Sequence, residues 1–172
     1  MDIFTLLIIG HLVGTVLGVG GATMIEFHLN KALSDGNMSL DERSMLGLNF
    51  VVLRIGLVLA LVTGFGFLVY YVTHGQAFRL QNPVLWAKLF MVVIVGVNAL
   101  LLQSHKIGLY WGSALSFVTW WATMILGIFL TNNVRFDFIT IMIGYLLAVV
   151  AGAFILHKIR DYVKLRYKAK NA

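Results

Sequence analysis

Residues 3–27 read IFTLLIIGHLVGTVLGVGGATMIEF, with no charge before Glu26 and a single imidazole, His11, inside the run. At about 1.5 Å of rise per residue, a helix of this length crosses a hydrocarbon core of roughly 30 Å. The stretch shows no two-residue alternation, which excludes a barrel strand. Asp2 stands where a cleavable leader would be positive, and no small-residue cleavage site precedes Glu26 and His28, so the run reads as a retained span.

Four further stretches have the same character, at 46–72, 84–104, 108–131 and 137–157. The 172 residues are 60% hydrophobic and 12% charged, about half the charge a water-facing domain carries. The expected fold is therefore all-α: an integral membrane bundle of five transmembrane helices over residues 1–157, followed by a basic tail over 158–172. The chain has no cysteine, which excludes disulfides, thiolate metal sites, iron–sulfur clusters and thioether-linked haem. The net charge of +6 sits largely in the tail, so nucleic acid is not the expected partner. Lys31, Arg43, Lys106 and the tail cations fall on one side of the bundle, against Arg79, Arg135 and at most Lys88 on the other. The positive-inside rule then places the C-terminus in the cytoplasm and the N-terminus outside. Trp86, Trp111, Tyr70, Tyr71 and Tyr110 lie near span ends, as interfacial aromatics do.

The loop after the first span is the longest and most polar. Asp35-Gly36-Asn37 is a turn signal, and Ser39-x-x-Glu42 reads as a capping box that starts the second helix about a turn below the membrane. A calcium loop is rejected there, since Leu40 and Leu46 replace the required glycine and glutamate. The tail is expected to continue as a helix, lying on anionic lipid or solvated.

Function must then come from polar groups inside the bundle, where each costs a few kcal/mol unless partnered. His11 shares a face with Thr15, Gly18 and Ala22, flanked by Gly10, Gly14 and Gly21. An imidazole in a glycine-lined stripe can ligate haem iron while the absent side chains leave room for the macrocycle; the same stripe can also simply pack two helices closely. Arg54, inside the second span, can neutralise a haem propionate or snorkel to the cytoplasmic interface. Lys88 can be a second axial ligand, a propionate partner or an interfacial cation. Glu26 is a candidate ion-pair partner or proton carrier. His11 with His74 would form an outer haem site, and His28, His105 and His157 could supply an inner one; span-end histidines can equally be interfacial polar residues. No His-x-x-x-His or Glu-x-x-His pair lies in a span, which disfavours a bare metal site. Ser113, Ser116, Trp120, Thr123 and Gly127, and then Gly144, Ala148, Ala151 and Gly152, read as packing seams on the fourth and fifth helices. Gly18-x-Gly20-Gly21 lies within a membrane helix and cannot be a nucleotide loop.

The order of features over about the first 100 residues resembles the HemJ-type membrane protoporphyrinogen oxidases and the related copper-resistance-D-like membrane proteins. The pieces that carry it are His11 with Gly21 ten residues on and His28 after it, Glu42-Arg43 opening the second helix, Thr63-Gly64-Phe65-Gly66-Phe67-Leu68 closing it, and Trp86, Lys88 and Leu89 opening the third. The resemblance implies a small bundle in a bacterial or archaeal cytoplasmic membrane, binding haem b through His11, with a role for Lys88. Residues 18–22 read GVGGA where the family carries a Trp-x-Ala-Gly-Leu type segment, and the second helix has Arg54 but not the family's proline. The leading expectation is a haem-b redox protein, oxidase-like or electron-transferring, working with a quinol, a tetrapyrrole or a redox protein. The alternatives are a non-catalytic subunit of a homo- or hetero-oligomer, and a small-solute or metal transporter. The lack of mid-membrane carboxylates counts against the last.

Overall fold

The computed structural model describes residues 2–32 and 38–170, and within them every long element is a helix. Five helices are each long and apolar enough to cross a membrane: α1 (Ile3–Ala32), α2 (Leu40–Thr73), α3 (Pro83–Gln103), α4 (Leu109–Thr131) and α5 (Phe138–Lys170). A short 3-10 turn, Ala77–Gln81, joins α2 to α3.

The helix starts follow local chemistry. Ser39 accepts from the Glu42 amide while the Glu42 carboxylate takes the Ser39 amide, the reciprocal box expected from the sequence. Asn82 caps α3, with Pro83 in the first turn where its missing N–H costs nothing. The turn signal at Asp35-Gly36-Asn37 lies outside the described residues.

α1 and α2 form the tightest pair in the bundle, antiparallel and joined along their glycines. A Cβ on Gly14 would stand 2.7 Å from the Ala60 amide nitrogen, and one on Gly56 would stand 2.6 Å from that of Gly18. Only glycine lets the two backbones approach this closely. Phe4, Phe67, Tyr70 and Tyr71 close the N-terminal end of the seam as an aromatic cluster.

α3 packs on α4, and α4 packs on both α1 and α5. Trp120 of α4 lies against Gly18 and joins Val19, Ala22, Leu53 and Val95 in one core. Val84, Ala87, Met91, Leu126 and Tyr145 form a second core between α3, α4 and α5. By contrast, α2 and α3 make at most a marginal contact.

α5 runs unbroken through residue 157 to Lys170, the helical continuation expected of the tail. Against the packing seam expected there, its small residues Gly144, Ala148 and Ala151 stand exposed, while a Cβ on Gly152 would meet Val118.

Candidate functional site

His11 of α1 and Lys88 of α3 meet in the half of the bundle nearer the α1 N-terminus, with Nε2 and Nζ 3.2 Å apart. On the other edge of the ring, Nδ1 lies 3.1 Å from Thr63 Oγ1 of α2. The hydroxyl of Thr63 donates to the Leu59 carbonyl at 2.6 Å, so its oxygen is left to accept from the ring. That assigns the proton to Nδ1 and leaves the Nε2 lone pair to accept from Lys88. The imidazole lies beside Gly64 of α2 and packs edge-to-face with Phe67. Anchoring one ring nitrogen so that the other presents its lone pair is the usual support of a ligating histidine.

A cavity of about 30 Å³ adjoins the pair, bounded by Thr15, Leu57, Ala60, Val92, Val95, Trp120 and Thr123. It is partly open at the side and lies where α2 and α3 stand apart. Its volume takes one or two molecules the size of water. The donor set therefore suits an iron ligand, whereas a cavity of this volume does not suit a porphyrin. The glycine face invoked to make room for the macrocycle is used otherwise. Gly10, Gly14 and Gly21 face α2, and Gly18 faces the Trp120 ring.

The other candidates are dispersed. Arg54 is exposed on α2, with no hydrogen bond or ion pair among the described residues. It lies nine residues before Thr63, roughly 13 Å along the helix axis from the His11 level. His74 caps α2 and stacks on Tyr70 at 3.9 Å, about 16 Å beyond Thr63, so it does not join His11. His28 pairs with Asn49 at 2.7 Å. His105 sits in a left-handed turn after α3 has ended, which removes the helical register that would align it with Asn98. His157 is exposed and lies 3.4 Å from Asp161. Among the described residues no group of three metal-ligating side chains occurs.

A second polar cluster lies toward the other end of the bundle, where Glu26 finds an ion-pair partner in Arg160, a residue expected only as a cation of the basic tail. Arg160 of α5 donates to Glu26 at 2.7 Å, to Ser113 Oγ at 3.1 Å and to the Tyr110 carbonyl at 3.2 Å, with its guanidinium over the Tyr110 ring. Both charged partners are at least 95% buried. Nearby, Asn98 of α3 donates to Gly112 O and Ser116 Oγ of α4. A signal for Arg160 existed: it continues the packed face Tyr145–Val149–Gly152–Leu156 at helical spacing, so it belongs to the inner side and not to the basic tail.

No family model, curated protein or solved structure matches this chain.

Proposed function

We propose that the chain is an integral membrane redox protein that engages haem b through His11, with its N-terminus outside and its C-terminal helix end in the cytoplasm. The observation that carries this reading is the Nε2 lone pair of His11, its tautomer set by Thr63 and its direction held by Lys88. Iron ligation needs a neutral imidazole presented in this way. Haem would supply the electron chemistry. The chain would supply a ligating nitrogen at His11, a second nitrogen base at Lys88, and apolar walls from Leu57, Ala60, Val92 and Val95. Because the cavity is water-sized, seating the macrocycle requires α2 and α3, which make at most a marginal contact, to separate further. A quinol or tetrapyrrole substrate would approach from lipid by the same side. The orientation rests on the positive-inside rule applied to the connections and to the α5 end.

The deciding experiment is an absorbance scan of protein purified in detergent from haem-replete cells. A Soret band that His11→Ala abolishes and Lys88→Met shifts is the expected result. No band, or a band unchanged in His11→Ala, refutes the haem reading.

The packed glycine seam favours a second reading, a non-catalytic subunit whose polar pairs orient helices. It predicts co-purification with a larger complex that His11→Ala leaves intact.

A further inference from the structure

Arg54 carries a charge within an apolar span, and the chain leaves it unanswered. It is exposed on α2, and its guanidinium has no hydrogen bond or ion pair among the described residues. A Cβ on Gly56 would meet the Gly18 amide and one on Gly21 would meet Leu53, so Arg54 stands level with about residue 20 of α1. That level is six residues, roughly 9 Å, inward of the Glu26–Arg160 pair, where Tyr110 and exposed Trp111 stand as interfacial aromatics. An arginine cannot shed its proton at this depth, so it needs an anion.

The chain's own carboxylates lie elsewhere. Of its seven acidic residues, Asp35 lies outside the described residues. Asp2 and Asp137 stand just before α1 and α5, at the opposite end of the bundle. Glu26 is held by Arg160, Glu42 by the Ser39 cap, and Asp161 lies beside His157. Asp41 is 13 residues before Arg54, about 20 Å along α2. A second copy of the chain brings the same described set, so it offers no acid at this depth either.

The surroundings of Arg54 suit the head and chain of a phospholipid. Arg43, Gly47, Phe50 and Arg54 follow one another at four, three and four residues, so they share one face of α2. Side chains on a helix lean toward its N-terminus, which carries the Arg54 guanidinium toward Gly47 and the polar end. An added Cβ at Gly47 would meet nothing within 4 Å, so a headgroup has room there. Arg43, beyond it, is exposed and also forms no ion pair among the described residues. Inward of Arg54 the path is apolar. Arg54 neighbours Phe50 and Leu57, which pack against the core containing Val95 of α3, so it stands at the lip of the α2–α3 boundary. Gly96, one turn beyond Val92 on α3, likewise has nothing within 4 Å of an added Cβ. The cavity lined by Leu57, Ala60, Val92 and Val95 is partly open on this side.

We propose that the α2–α3 boundary binds one anionic phospholipid from the leaflet at the α5 C-terminal end. Its phosphate rests on Arg54, its headgroup lies over Gly47 beside Arg43, and one acyl chain runs along the boundary past Gly96. The headgroup is anionic because a zwitterionic one would set its own cation against Arg43. The acyl chain then covers the open side of the cavity, and an apolar molecule entering from lipid has to displace it. Nothing in this seat uses His11 or haem, so its failure and that of the haem reading are separable.

The test is native mass spectrometry of the full chain released from nanodiscs of phosphatidylcholine with about one-fifth phosphatidylglycerol, the anionic probe. Wild type is expected to retain one lipid, with phosphatidylglycerol enriched about fivefold over its share of the disc, the preference one cation near an anionic leaflet confers. Arg54→Leu, an apolar residue suited to a lipid-facing position, should return the ratio to that of the disc. Gly47→Leu fills the headgroup seat with every charge left in place and should do the same. Arg54→Lys should keep part of the enrichment. Lys158→Gln, which removes an exposed cation at the same end, should leave it intact. A retained lipid no richer in phosphatidylglycerol than the disc overturns the proposal, and so does enrichment that survives Arg54→Leu or Gly47→Leu. A dimer or a co-purified protein that is lost in Arg54→Leu also overturns it, because Arg54 would then pair with a protein carboxylate.

Discussion

The two ionisable pairs described inside this bundle are built on opposite principles. Glu26 and Arg160 are of opposite charge, close at 2.7 Å, and share further donors and acceptors from α4. His11 and Lys88 are both nitrogen bases, and Lys88 forms no ion pair among the described residues. The first pair binds the end of α5 to α1 and α4. The second leaves a basic group facing a lone pair beside a cavity. Where charge is compensated the groups hold helices together; where it is not, they remain available to something else.

Removing one member of the compensated pair gives the largest expected effect. Glu26→Leu leaves Arg160 buried without its carboxylate and should cost about 3–5 kcal/mol, read from reversible unfolding in mixed micelles. The double variant Glu26→Leu/Arg160→Met should recover most of that loss. A single variant as stable as wild type would mean that the pair is solvated and that the contrast is false.

The glycine seam comes next. Gly56→Ala drives a methyl into the α1 backbone and should cost about 1–3 kcal/mol. Gly20→Ala, with nothing within 4 Å of the added carbon, should be neutral or gain about 0.5–1 kcal/mol. Equal effects at the two positions would refute the close approach of α1 and α2.

Lys88→Met sharpens the comparison from the other side. The swap removes an uncompensated cation of similar volume, so stability should stay within about 1.5 kcal/mol of wild type. A loss matching that of Glu26→Leu would make Lys88 a structural group and remove the reason for placing function there.

The smallest effect lies at the start of α5, outside both pairs. Asp137 accepts from the Thr140 hydroxyl and backbone amide, which holds its carboxyl below the ordinary value of 3.8. Its contribution to the first turn is present above that ordinary value and is lost as pH falls through the lower folded value. Amide exchange at Thr140 and Ile141 should therefore speed up under strong acid relative to neutral pH, beyond the intrinsic trend. The change should vanish in Asp137→Asn.

Much of the fold could be read directly. The five spans, the Ser39–Glu42 cap and the inward stripe on α4 follow from apolar run length and helical spacing. The site was half legible. His11 and Lys88 stood out as polar groups in apolar runs, but their contact joins residues 77 apart in the chain, which no local pattern encodes. The role of Thr63 as the acceptor that sets the His11 tautomer depends on a contact between residues 52 apart, which no local pattern encodes either. Arg160 was hidden by its cationic neighbours, because composition cannot distinguish the inner face of a helix from its outer face once the apolar run has ended. A glycine stripe on one helix serves a macrocycle or a second helix equally well, and the structure uses this one for helix approach.

The sequence by itself determined that this chain forms five apolar helices in lipid, since backbone groups without water must pair within their own segment. The tertiary structure alone decided which polar residues meet. In a membrane, apolar side chains gain little by leaving lipid for one another, so rotation and partner choice fall to shape and hydrogen bonding. The glycine seam, the Trp120 ring and a few buried donors set that arrangement, and they brought His11 to Lys88 and Arg160 to Glu26.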